Sequence, residues 1–252
     1  KTCWHWPDSP TVTNNEVIFQ GSFSQRCGQR QRYYTFLPAD QYFSSVFKQL
    51  WNGLGGTING KIIPGLVKSS DQLLLKHYSQ PLTDVIKNIN KFSSNPMARQ
   101  VYLTLGSKLK KTGITPADAE EKLKIWLNQV GIPGAEVTIE NGSGLSRYSR
   151  ISAFSLAKIL KHAWYSPLMP EFVSTLPLLS IDGTLRKRLR HSALSGKGHL
   201  KTGYVKGVRT IAGYLTNKKG ESILIVCLVN HPKAKKSWPL HDEVLKWIYY
   251  KS

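Results

Sequence analysis

Acidic residues are scarce: 15 Asp and Glu stand against 35 Lys and Arg in 252 residues, a formal net charge of +20. That imbalance implies an anionic environment, either nucleic acid or an acidic membrane or cell-wall surface, and charge alone does not choose among them. Cysteine is also rare, and three residues exclude a dense disulfide framework. Cys3 and Cys27 bracket a polar, turn-rich segment that a bridge could staple, while Cys227 lies in the apolar run SILIVCLVN. Either Cys3 and Cys27 pair and Cys227 stays buried and free, or all three are reduced thiols; a bridge would imply an oxidising compartment. No apolar run approaches the ~20 residues of a membrane span. Nor does the start show the charged flank, short apolar region and cleavage site of a signal peptide, so the chain is expected to be mature, truncated or cytosolic. The seven histidines show no HExxH and no Cys/His pairing, which argues against metal catalysis; no metal and no cofactor is expected. RKRLRH at 186–191 has no helix-turn-helix, zinc-ligand spacing or aromatic RNP-like strand around it, so no specific nucleic-acid partner is expected.

What is present reads as one large domain, or a domain with a small appendage. Residues 1–37 suggest short strands and turns. After Pro38, Phe43, Val46, Phe47, Leu50, Trp51 and Leu54 recur at helical spacing until GLGG ends the run. A second helix runs from Pro81 with Leu82, Val85, Ile86 and Ile89 on one face, and a third opens at Pro96 with Asn95 as its cap. Ser93 and Asn95 thus fall at a helix-to-helix corner. Thr115 to Asp118 has the form of a capping box, AEVTIENGSGLSR suggests a short strand and a Gly-rich turn, and Ser152 caps a further helix. HLKTGYV, VRTIAGYLT and ESILIVCLVN, punctuated by VKG and NKKG, read as an antiparallel meander, closed by a helix from about Pro239 to Tyr249. The fold class is therefore α+β, an antiparallel sheet flanked by helices.

Three short motifs carry polar groups that packing does not ask for. Lys201-Thr202-Gly203 lies on a strand, where a cation, a hydroxyl and a residue without a side chain can grip a carboxylate while a peptide lies close. A solvated edge lysine that deters aggregation is the plainer reading. A second KTG, at 111–113, sits in a basic inter-helix stretch and is read as solvated. Ser93-Ser94-Asn95 alone is ordinary cap chemistry, and NGSGLSR at 141–147 alone is a tight connection.

In order and context the three together resemble the penicillin-binding protein superfamily. They are most similar to its low-molecular-mass class C D-alanyl-D-alanine carboxypeptidases and endopeptidases, the penicillin-binding protein 4 type of peptidase family S13. SQPLTDVIKNINKFSSNPMARQVYLTLG, LPLLSIDGTLRKRL and KTGYVKGVRTIAGYL extend the likeness over nearly the whole chain, and the Cys3 to Cys27 pair has counterparts in some relatives. The resemblance implies a β-lactamase/transpeptidase-like fold, with residues 1–37 ending an inserted or connecting segment and 38–252 forming the C-terminal part of the penicillin-binding domain. It also implies a periplasmic serine peptidase that acts on peptidoglycan stem peptides and is acylated by β-lactams. By the same match Ser93 relays protons to the leaving group and Asn95 holds a substrate amide. Lys201 and Thr202 bind the terminal carboxylate beside Gly203, the backbone N–H of Tyr204 supplies half of an oxyanion hole, and Ser146 and Arg147 line the site or its wall.

Such chemistry needs an SxxK serine, and three candidates occur: Ser45 with Lys48, Ser107 with Lys110, and Ser155 with Lys158. The first and last avoid their helices' apolar stripes and read as solvated pairs, and a water-exposed lysine keeps its proton. Ser107 lies in a basic stretch without apolar cover. The nucleophile is therefore expected upstream, in a missing N-terminal half of the same protein, leaving this chain inert alone. Two further departures from the family are Tyr204 in place of a small hydroxyl residue and Asn141 in place of aspartate. The rival reading is a module without catalysis, held to anionic wall or membrane polymers by its charge.

Overall fold

The computed structural model describes residues 4–5, 10–13, 16–29, 34–109 and 113–251. The chain divides between Lys76 and His77 into two compact units.

In the first unit, strands β1 (Trp4–His5) and β4 (Ser22–Phe23) pair antiparallel, as do β2 (Thr11–Val12) and β3 (Val17–Ile18). Cys27 closes a short 3-10 turn and is disulfide-bonded; its expected partner, Cys3, lies outside the described residues. Helix α1 (Ala39–Gly53) forms where the spacing asks for it, and Phe43, Phe47 and Trp51 stack in a row along one face at 5.9 and 6.1 Å between ring centroids. That face stays open among the described residues, with Phe43 60 % and Leu50 63 % exposed.

The second unit is built on the meander β5 (Gly198–Val205), β6 (Val208–Thr216) and β7 (Ser222–Asn230), all antiparallel in that order. Side chains alternate across it. One face, with Leu200, Ile211, Leu215 and Ile225, packs against Leu245 and Tyr249 of the closing helix α7 (Trp238–Lys251), as the closing-helix periodicity requires. The opposite face carries Tyr214, Leu224 and Val226 against Leu160 of α5 (Ala153–Trp164) and Leu176, just past α6 (Met169–Thr175). The sheet is thus buried on both sides. Each fully covered leucine contributes roughly 2 kcal/mol from apolar burial.

Helices α2 (Leu82–Phe92), α3 (Asn95–Gly106) and α4 (Pro116–Gln129) complete the unit. The capping box at α4 forms as its residues require, with Thr115 Oγ1 accepting from the Asp118 N–H and the Asp118 carboxylate accepting from the Thr115 N–H. At α5 the Ser152 hydroxyl accepts from the Ser155 N–H at 2.9 Å. Two expectations need correction. Asn95 is not the cap of α3 but its first residue; the cap is Ser94, which makes no side-chain bond, and the Asn95 amide is turned elsewhere. The strand expected within 135–147 shrinks to a single bridge between Thr138 and Arg150, because Gly142 and Gly144 take the left-handed conformation (φ 67° and 81°) and bend the chain.

Candidate active site

The free edge of β5 and the corner between α2 and α3 meet in an open cleft of about 480 Å³. The meander leaves β5 at the sheet's edge, and its first half is covered: Leu179 N–H donates to Gly198 O, and Leu200 N–H donates outward to Pro177 O at 2.9 Å. Backbone direction alternates along a strand, so the amides of Thr202 and Tyr204 point to the same side as that of Leu200. No strand covers them there among the described residues.

Ser93 terminates α2 in the left-handed conformation, φ 55° and ψ 48°. A non-glycine residue held there costs on the order of 1 kcal/mol, sustained by its surroundings. Those surroundings are specific. Two residues back, Lys91 is buried and its ammonium meets Asp182 Oδ2 at 2.6 Å, while Asp182 Oδ1 accepts from Leu178 N–H at 2.7 Å. Gly183, at φ 54°, lies so close to the Lys91 carbonyl that a Cβ would fall 2.6 Å from its oxygen. The neighbouring Asn90 donates to Thr175 Oγ1 at 2.8 Å. The IDG segment and α6 therefore clamp the corner.

Into this corner Lys201 extends from β5. Its ammonium donates to Ser93 Oγ across 108 residues of chain, and to Thr202 O at 3.0 Å. Burial lowers the pKa of Lys201 below its ordinary value. Asn95 donates from Nδ2 to Ser143 O at 2.5 Å, which ties the start of α3 to the Gly-rich loop. In that loop Asn141 Oδ1 accepts from the Ser143 N–H and hydroxyl at 2.9 and 2.8 Å, and Asn141 Nδ2 reaches Leu145 O, so the amide both accepts and donates to hold the turn.

The structure thus gathers Ser93, Asn95, Lys201, Thr202, Gly203 and Tyr204 around one cleft. Ser146 and Arg147 line an adjoining hollow of about 640 Å³ that shares Gly144, Gly203 and Tyr204 with it. There Ser146 Oγ accepts from the Tyr148 and Ser149 amides, and Arg147 donates to Lys206 O at 3.0 Å. Residues not singled out from sequence also belong: Lys91 and Asp182 as the clamp, and Arg209 and Trp238 on the cleft wall. Arg188 lies in the basic run RKRLRH, yet it pairs with Asp242 at 2.5 Å and stacks on the Trp238 ring at 4.1 Å. Only the neighbouring tryptophan and aspartate, some fifty residues on, give that charge a structural use.

None of the SxxK serines of the second unit lines the cleft. Ser107 Oγ donates to Thr104 O at 2.7 Å, and Lys110 lies outside the described residues, as does the first KTG lysine, Lys111. Ser155 is not a solvated residue, as its helix position suggests, but is fully buried: its hydroxyl donates to Glu136 Oε2 at 2.7 Å and accepts from Ser152, because the turn at Gly134–Glu136 packs over the start of α5. In the first unit Ser45 Oγ donates to Gln41 O and Lys48 to Gly60 O, so that pair is not joined either. Cys227 is free and half-buried, and burial raises its pKa.

The model of the D-Ala-D-Ala carboxypeptidase 3 (S13) family matches residues 7–245. The D-alanyl-D-alanine carboxypeptidase DacB of Haemophilus influenzae is 28 % identical over 219 residues, covering 86 % of this chain and 46 % of that protein. A D-alanyl-D-alanine carboxypeptidase of an Actinomadura species is 28 % identical over 197 residues, 74 % of this chain and 36 % of its own. The crystal structure of penicillin-binding protein 4 from H. influenzae, complexed with a novel β-lactam, superposes with a TM-score of 0.75 at 24 % identity, covering 98 % of this chain and 59 % of that one. That likeness shows a penicillin-binding, transpeptidase-like fold. The chain spans less than half the length of these two carboxypeptidases.

Proposed function

The chain belongs to the D-Ala-D-Ala carboxypeptidase 3 (S13) family, and from that premise we propose that residues 77–252 form two walls of the acyl-transfer cleft of a serine-type D-Ala-D-Ala peptidase. The observation that carries this reading is the contact of the Lys201 ammonium with Ser93 Oγ beside the open edge of β5. Because Lys201 donates to the oxygen, the hydroxyl proton of Ser93 is left to pass to a leaving amine as the peptide bond breaks, and Lys201 restores it. Burial makes the ammonium a stronger acid, which suits that role. The Tyr204 N–H, on the uncovered edge, would serve as an oxyanion donor, and Asn95, tied to Ser143 O, would hold a substrate amide. Thr202 offers its hydroxyl to the carboxylate end.

The serine that becomes acylated comes from outside residues 77–252, since neither Ser107 nor Ser155 reaches the cleft. The stem peptide of peptidoglycan is the substrate, β-lactams are its mimics, and the periplasm or another extracytoplasmic space is the setting, to which a disulfide at Cys27 is suited. In a family-length protein, release of D-alanine from a stem peptide ending in D-Ala-D-Ala tests this. Lys201→Ala is expected to lower kcat by about 10²–10⁴-fold, the range of a lost general acid. A variant with undiminished kcat would remove Lys201 from the chemistry.

A further inference from the structure

The two sides of α7 differ. Leu245 and Tyr249 pack on the sheet and His241 is fully buried, whereas Leu240, Val244, Trp247 and Lys251 recur at helical spacing on the opposite side, with Tyr250 beside them. Leu240 is 55 %, Trp247 65 % and Tyr250 55 % exposed. Glu243, on the same side, is paired with Lys246 at 2.8 Å.

Cations stand at both ends of this strip. At its start the 3-10 turn Ala234–Lys236 runs through Ser237 straight into the helix, and Lys233, Lys235 and Lys236 are exposed. At its end the Lys218 N–H donates to Tyr249 O at 3.0 Å, which sets the NKKG turn, with exposed Lys218 and Lys219, against the last turn of α7 near Lys251. The ion pair of Arg188 with Asp242 anchors RKRLRH to the first turn, with Arg186, Lys187 and Arg190 exposed. An apolar and aromatic strip about 20 Å long thus lies between two cationic clusters.

A soluble polyanion would engage the lysines and has no use for Leu240 or Trp247. A second copy of the chain carries the same +20 charge and is repelled. An anionic bilayer uses both features: leucine and tryptophan enter the boundary between headgroups and acyl chains, and the lysines reach the phosphates around them. We propose that the outer face of α7 is a membrane-docking surface that lays the helix in the plane of an anionic phospholipid bilayer. This stands apart from the chemistry of the cleft, and it places that cleft at a membrane surface.

Co-sedimentation of the 252-residue chain with vesicles of phosphatidylcholine alone, and of phosphatidylcholine mixed with phosphatidylglycerol, tests this. The chain should pellet with the mixed vesicles and stay in solution with the neutral ones. Trp247→Ser should weaken the partitioning at least ~10-fold. K235Q and K236Q together should weaken it about 10–30-fold, at roughly 5-fold per lysine. Trp247→Phe keeps the face apolar, so the fluorescence it removes isolates Trp247, and vesicles with brominated acyl chains should quench that difference. This readout stands in if Trp247→Ser does not fold. Undiminished partitioning of Trp247→Ser, or a Trp247 signal that brominated vesicles leave unquenched, means adsorption by charge alone and overturns the docking of α7. So does a chain that stays in solution with both kinds of vesicle. In a family-length protein the quenching should persist, and its disappearance there would show the face covered by protein and contradict the proposal.

Discussion

At Lys201 a single side chain carries both the burial and the proposed proton transfer. Burial penalises the ammonium, so the pKa falls below the ordinary 10.5. The sign of the consequences follows. Between the lowered folded value and 10.5 the unfolded chain binds more protons, so this residue's contribution to stability rises with pH across that window. The proposed leaving-group protonation needs the charged form, so kcat should fall as pH rises through the lowered value, giving an alkaline limb below 10.5. A 13C NMR titration of the Lys201 ε-carbon checks the cause directly, and a midpoint at or above 10.5 would contradict it. At this scale the sequence was informative at Lys201, a cation on a strand, whereas Ser93 and Asn95 read as ordinary cap chemistry until taken in order with the other two motifs. It was silent on Arg209 and Trp238, because an arginine on a strand and a tryptophan opening a helix are ordinary until the hairpin register and α7 bring their rings and charges together.

Elements were legible wherever a local signal exists. The capping box at Thr115, the serine cap at Ser152 and the Gly-marked turns of the meander all produce the structures their chemistry demands. Helix α6 was not foreseen, since seven residues with Pro170 among them show no helical period. The position of β5 also depends on something subtler than periodicity. Gly213 has φ 142° and lies against β5, so that a Cβ would fall 2.2 Å from His199 O and 3.0 Å from Leu200 Cα. Both of those atoms are backbone and neither can swing aside. Gly213→Ala should cost about 2–4 kcal/mol through overpacking and strain, and lower Tm by about 5–15 °C. Because Lys201 is the next residue along, peptide affinity should fall with it. An alanine variant melting within a degree of the parent would show that the strands can part without strain.

Across the whole molecule, the cleft joins residues 93, 95 and 201, and nothing local to any of them announces the others. Their meeting follows from a corner clamped by Lys91, Asp182 and Gly183 and from an edge strand left half uncovered, which are properties of the folded unit. Only the order of the three motifs hinted at it. The +20 charge proved less uniform than a count suggests, since Arg188 pairs with Asp242 and both Arg188 and Arg209 stack on Trp238. The aromatic row of α1 was legible as the stripe of a helix, and its exposure was not.

The most direct measurement is covalent labelling by a fluorescent penicillin, read on a gel after denaturation. A family-length protein containing these 252 residues should be labelled, Lys201→Ala should slow that labelling by about 10²-fold or more, and the 252-residue chain by itself should take no label. Labelling of the chain alone, or undiminished labelling without Lys201, would contradict a cleft whose nucleophile lies outside these 252 residues and whose proton passes between Lys201 and Ser93.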